Sequence, residues 1–78
     1  MRNVSLRQLR AFAEVARRLS FTAAAKSLHL TQPAVSMQVK QLERALELTL
    51  FERVGKALTL TEAGQRFHEH AARVMGEM

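Results

Sequence analysis

The chain contains no cysteine, no tryptophan and no tyrosine, and only one proline and three glycines among 78 residues. Without cysteine there is neither a disulfide framework nor a thiolate metal site, and a reducing, cytoplasmic home is expected. A single proline and a hydrophobic content of 47% exclude a disordered tail. No apolar run approaches ~18 residues, so no membrane-spanning helix is expected. Residues 1–20 carry five arginines and no uninterrupted apolar core, which does not fit a signal peptide. Aromatic residues are limited to Phe12, Phe21, Phe51 and Phe67, all at inward or interfacial positions, so the stacking platforms of a single-stranded RNA binder are missing. The imidazoles are His29, His68 and His70; the last two stand two apart on a helix and point in different directions, so no metal site is expected. No Ser/His/acid or paired-carboxylate arrangement has a pocket to occupy, and neither an enzyme nor a cofactor is expected.

What is present is positive charge, unevenly placed. The formal net charge is +5. Residues 1–20 hold five arginines against one glutamate, and residues 21–46 hold three basic residues against one acidic. Residues 47–60 balance, and residues 61–78 hold two basic residues against three acidic. Such asymmetry suits a polyanion at one end and a different partner at the other. A chain of this length forms one domain and buries only about 60% of its unfolded surface, so its core is thin and can lean on a partner.

Periodicity supplies the elements. Ser5 to Gln8 fits a capping box, and Leu6, Leu9, Phe12, Ala13, Ala16 and Leu19 follow as a stripe, giving a first helix over about 5–19. Ser20 and Thr22 are both candidate caps for a short second helix through about Leu28, with Ala24, Ala25 and Leu28 inward. His29, Leu30 and Thr31 leave room only for a tight turn. The stretch LTQPAVSMQVKQLE then places Pro33 in a first turn, where its missing N–H costs nothing, with Thr31 as cap. Val35, Val39, Leu42 and Leu46 form the inward stripe of a third helix over 32–46. After Leu46 the period shortens: residues 50–53 and 57–60 are strand-forming runs around Val54, Gly55 and Lys56, hence a hairpin. Thr61 caps a last helix whose Ala63, Phe67, Ala71, Val74 and Met78 step by four, four, three and four, with Glu62–Arg66 and Glu69–Arg73 as (i, i+4) pairs.

Three helices followed by a two-stranded wing is the order of a winged helix-turn-helix, a mainly α fold, here continued by a last helix. In that arrangement the third helix enters the major groove by its first turns and the hairpin reaches a neighbouring backbone. At ~100° per residue, Gln32, Pro33, Ser36, Met37 and Lys40 gather on a polar face. A Gln amide pairs bidentately with adenine, Ser bonds either way, and Pro and Met pack on a thymine methyl. Phosphate contacts would come from Thr31, Lys40, Arg53, Lys56 and the start of helix two at Thr22. Two other readings of these residues stay open: an ordinary solvated helix face, and a winged helix that docks onto protein. Against the second stands the positive charge of the first 46 residues.

The stretches SFTAAAKSLHLTQPAVSMQVKQLE and LFERVGKALTLTEAG closely resemble the N-terminal DNA-binding domain of LysR-type bacterial transcription regulators, over essentially the whole chain. The matching motifs are Ala24 and Ala25, Thr31 to Ala34, Gln41 to Glu43, Leu50 to Arg53, and Leu60 to Gly64. The resemblance implies that Gln32, Pro33, Ala34, Ser36 and Met37 face bases, and that Thr31 and Arg53 hold phosphates. It implies domains at 1–60 (DNA binding) and 61–78 (linker and dimerisation), with Ala63, Phe67, Ala71, Val74 and Met78 as the seam of a homodimer on an interrupted palindrome of double-stranded DNA. It further implies a small-molecule effector domain that is not in these residues. Two departures stand out: Met37 replaces a frequent Arg, which removes a guanine contact, and Glu47 stands where glycine usually ends the recognition helix. HLTQPAVSMQVKQLE with FERVGK resembles most the regulators of carbon-fixation operons, those that carry the RuBisCO genes.

Overall fold

A computed structural model describes residues 4–74, in the order α1 (Leu6–Arg18), α2 (Phe21–Leu28), α3 (Gln32–Leu46), β1 (Phe51–Val54), β2 (Ala57–Leu60) and α4 (Glu62–Val74). Each helix starts on a hydroxyl that takes an orphan N–H of the first turn. In α1 the capping box is complete: Ser5 Oγ accepts from the Gln8 amide at 3.2 Å, and Gln8 Oε1 accepts from the Ser5 amide at 3.1 Å. For α2 the cap is Ser20, whose Oγ accepts from the Ala23 amide at 3.0 Å; Thr22 lies inside the first turn and is not a cap. Thr31 and Thr61 cap α3 and α4, accepting from the Ala34 and Gly64 amides at 3.2 and 2.9 Å.

With so few glycines, the ends of α1, α2 and α3 fall on other residues. Leu19, His29 and Glu47 all adopt the left-handed conformation, at φ of 52, 59 and 58°. That conformation costs a non-glycine residue ~1–2 kcal/mol, and it persists because backbone bonds close over it. His29 and Leu30 donate to the Lys26 and Ala25 carbonyls at 3.2 and 2.9 Å, and Glu47 and Leu48 donate to the Arg44 and Glu43 carbonyls at 3.2 and 3.1 Å. The third helix therefore stops at Leu46 without the glycine that the resemblance leads one to expect there.

The core lies where α1, α2 and α3 meet, around the fully buried Phe12, Val15, Val35, Leu42 and Leu50. Each such side chain contributes about 1.5–3 kcal/mol by leaving water. The stripe expected on α1 needs correction. Ala11 and Val15 are buried, whereas Leu6 and Leu19 are 54% and 45% exposed, because the helix faces α2, α3 and α4 on more than one side and these two residues stand at its ends. Phe12 centres an aromatic cluster, with ring centroids 5.4 Å from Phe51 and 5.2 Å from Phe67, and Phe21 packs 5.7 Å from Phe51. The hairpin pairs Phe51 with Leu60 and Val54 with Ala57, so the turn is Gly55–Lys56. Gly55 sits at φ 63°, a conformation that suits glycine at the head of a tight hairpin turn. Helix α4 packs back onto α1 and the wing, and among the described residues Glu62 pairs with Arg66 at 3.0 Å while Glu69 and Arg73 do not pair.

Candidate nucleic-acid interface

The first turns of α3 stand clear of the core. Pro33 is exposed in the first turn of the helix, and Val35, Val39 and Leu42 anchor the opposite side. Gln32, Pro33, Met37 and Lys40 are exposed, and Ala34 and Ser36 are half-buried. Met37 is 58% exposed, a large apolar side chain that the fold leaves mostly in water. An open groove runs along this face from Gln32 through Ser36, Met37 and Lys40 to Gln41 and Arg44. Gln41 and Arg44 extend the face beyond the residues expected there, where the same projection continues by one turn.

Two further concavities join this face to the wing. One is bounded by Thr22, Gln32, Arg53 and Lys56, so the start of α2, the start of α3 and the hairpin converge there. The other lies between α3 and β1 and includes Ser36, Lys40, Glu43 and Arg53. Gln32 borders the α3 groove and the first of these, and Ser36 and Lys40 border the groove and the second. The polar residues and the cations expected to work together thus form one continuous surface. Thr31 lies beside it, its oxygen engaged by the Ala34 amide and its proton free to donate.

Charge on this surface is available rather than neutralised. Among the described residues no carboxylate pairs with Lys40, Arg44, Arg53 or Lys56. The contrast is with α1, where Arg17 and Arg18 both reach Glu14 at 2.7 Å. The Arg18 guanidinium and the Ser27 hydroxyl, helped by Arg17 and opposed by partial burial, hold the Glu14 carboxyl down at about 2. Two of the arginines counted in the basic N-terminal half are therefore paired within α1, and the Glu14 carboxylate that they flank takes the Ser27 hydroxyl of α2. The orientation of α3 is itself secured: Gln8, buried in α1, donates from Nε2 to Gln41 Oε1 at 3.3 Å.

The residues expected to form a dimer seam divide. Phe67 lies edge-on to Phe12, and Ala71 is 2% exposed, so both are covered by the chain's own core because α4 packs along α1. Of the five residues expected as a seam, Phe67 and Ala71 thus have partners within the chain itself. Ala63 is half-buried, Val74 is 66% exposed, and Met78 lies outside the described residues. Among the described residues no three histidine or carboxylate side chains gather as metal ligands. No described helix is long and apolar enough to cross a membrane.

Comparison with known proteins agrees with this geometry. The HTH-type transcriptional regulator CfxR of Cupriavidus necator is 59% identical over 78 residues, covering 100% of this chain and 25% of that protein. A RuBisCO operon transcriptional regulator of Allochromatium vinosum is 59% identical over 75 residues, covering 96% of this chain and 24% of that protein. This chain thus spans about a quarter of the length of these relatives. Among solved structures, the CbnR_DBD–DNA complex superimposes with a TM-score of 0.86 at 40% identity, covering 92% of this chain and 83% of that one. The family described as bacterial regulatory helix-turn-helix protein, lysR family, matches residues 6–65, and the chain belongs to it.

Proposed function

We propose that this chain is the DNA-binding part of a transcription regulator acting on carbon-fixation (RuBisCO) genes, and that it reads double-stranded DNA as a dimer. The observation that carries the reading is the single surface on which the exposed face of α3 and the unpaired cations of the wing meet. An α-helix fits the major groove, ~12 Å wide, and the residues offered there are Gln32, Pro33, Ala34, Ser36 and Met37. Gln32 supplies a bidentate amide for adenine, and Met37 an apolar end for a thymine methyl, which suits half-sites rich in T and A. Thr22, Thr31, Lys40, Arg53 and Lys56 take phosphates and fix the register without reading sequence. The relatives named for RuBisCO operons support the narrower assignment of target genes.

Residues 1–60 carry the reading head, and residues 61–78 pair two copies. Val74, 66% exposed on α4, supplies the apolar contact between them, together with Met78 outside the described residues. Two copies are needed because one face reads few base pairs and each mismatch costs only ~1–3 kcal/mol. The test is fluorescence anisotropy on a T/A-bounded interrupted palindrome and on a scrambled duplex across a salt series. A preference for the palindrome by orders of magnitude and an affinity that grows as salt falls are expected, with Gln32→Ala costing affinity mainly at its cognate base pair. Lys40→Ala should weaken both duplexes alike and flatten the salt dependence. Equal binding of the wild type to both duplexes refutes sequence reading, and no binding at low salt points to a protein-docking winged helix.

A further inference from the structure

We infer that Glu43 is a positioning residue, which sets the angle of the wing against the recognition face while making no contact with DNA itself; the inference rests on the interface proposed above. Glu43 sits one turn beyond Lys40 on α3 and borders the groove that holds Ser36, Lys40 and Arg53. A carboxylate in a groove meant for a polyanion is electrostatically adverse, so its presence needs another reason. The structure shows one. Glu43 Oε2 accepts from the backbone N–H of Leu50 at 2.7 Å, just before β1 begins.

Leu50 is a junction. Its side chain is 0% exposed, and its carbonyl accepts from the Thr61 amide at 3.0 Å. The adjacent Thr49 carbonyl accepts from the Thr61 hydroxyl at 2.6 Å. The backbone entering the wing is thus held by Thr61 on the α4 side and by the Glu43 carboxylate on the α3 side. Arg53 follows three residues after Leu50 on the paired strand, so a pivot at Leu50 moves Arg53, and Lys56 at the tip moves further. A side-chain oxygen accepting from a backbone N–H at this reach fixes direction as well as distance, which is what a fixed angle requires. Glu43 therefore acts on phosphate binding through Arg53 and Lys56.

Two conservative variants separate reach from charge. Glu43→Gln keeps an acceptor oxygen at the same reach and loses the charge; Glu43→Asp keeps the charge and withdraws it by about 1.5 Å. On the palindromic duplex, Glu43→Asp should lower the salt slope by roughly 1–2, the number of wing cations misplaced, with melting followed in parallel to confirm a folded chain. Glu43→Gln should keep the wild-type slope. Arg53→Ala should lower the slope by about 1 in the wild type and by almost nothing in the Glu43→Asp background, the coupling expected of residues that act as one unit. Amide exchange without DNA should show faster exchange at Leu50 and the wing in Glu43→Asp, with the α1–α3 core unchanged. The inference is overturned if Glu43→Gln behaves like Glu43→Asp, if the Arg53→Ala effect is the same in both backgrounds, or if Leu50 and wing exchange do not change. Should the wild-type chain bind no DNA, the interface reading fails by itself, and the exchange measurement still decides whether Glu43 holds the wing.

Discussion

Replacing Gly64 by alanine sets a small helix-propensity gain against a larger steric cost. Gly64 lies in the first turn of α4, where alanine is the better helix former by ~1 kcal/mol. A Cβ built there would stand 2.1 Å from the Leu50 carbonyl oxygen, 0.9 Å inside the 3.0 Å that real Cβ atoms keep, and 3.0 Å from Leu60 Cδ2. The obstruction is backbone, so no rotamer relieves it and α4 must shift as a body. That shift strains the bonds of Thr61 to the Leu50 and Thr49 carbonyls, each contributing about 1 kcal/mol. Overpacking against Leu60 adds about 1–3 kcal/mol. After the helix-propensity gain, the net destabilisation is about 2–4 kcal/mol. A chain of this size has a total stability of roughly 4–12 kcal/mol, so the loss is a large fraction of it and should lower Tm by about 10–25 °C. Urea denaturation followed by circular dichroism measures the difference directly. An alanine variant as stable as the wild type, or more so, would show that close approach at Gly64 is not a constraint and that propensity decides the site.

Other expectations are smaller. Glu47→Gly should relieve the left-handed strain at the end of α3 and, after the greater entropy of glycine in the unfolded chain, stabilise by about 0.5 kcal/mol; a drop in urea midpoint would refute this. The Glu14 carboxyl is held at about 2 against an ordinary 4.5, so its stabilisation is complete above about 4.5 and is lost as pH falls from there toward 2. Because Arg17 and Arg18 are 61% and 40% exposed, solvent screening limits the effect to on the order of 1 kcal/mol. Acid titration of stability in Glu14→Gln should lack that component, and an unchanged acid limb would refute the role.

Local chemistry made much of the fold legible. A hydroxyl before an apolar stripe marks a helix start at Ser5, Thr31 and Thr61, because the orphan N–H groups of the first turn need an acceptor nearby in sequence. The inward stripe of α3 and the hairpin around Gly55 follow from periods of 3.6 and 2, which need no knowledge of the partner. The choice of Ser20 over Thr22 was not legible, since both carry the right oxygen and the preceding turn at Leu19 selects between them. Glu43 was legible only as part of a motif; its bond to Leu50 crosses seven residues and a change of element.

By itself the sequence determined which residue types stand on each face of each element: a short polar face on α3, cations on the wing, apolar stripes behind them. Those are consequences of spacing and side-chain chemistry within one or two turns. Only the tertiary structure decided which faces meet. It brought Thr22 and Gln32 beside Arg53 and Lys56, and tied Ser27 of α2 to Glu14 of α1. It also turned Phe67 and Ala71 of α4 toward the chain's own core. The physical reason is that an apolar stripe specifies burial without naming its partner, and a cation specifies charge without naming its counter-ion. Packing of α1 against the other helices and the clamp at Leu50 settle both.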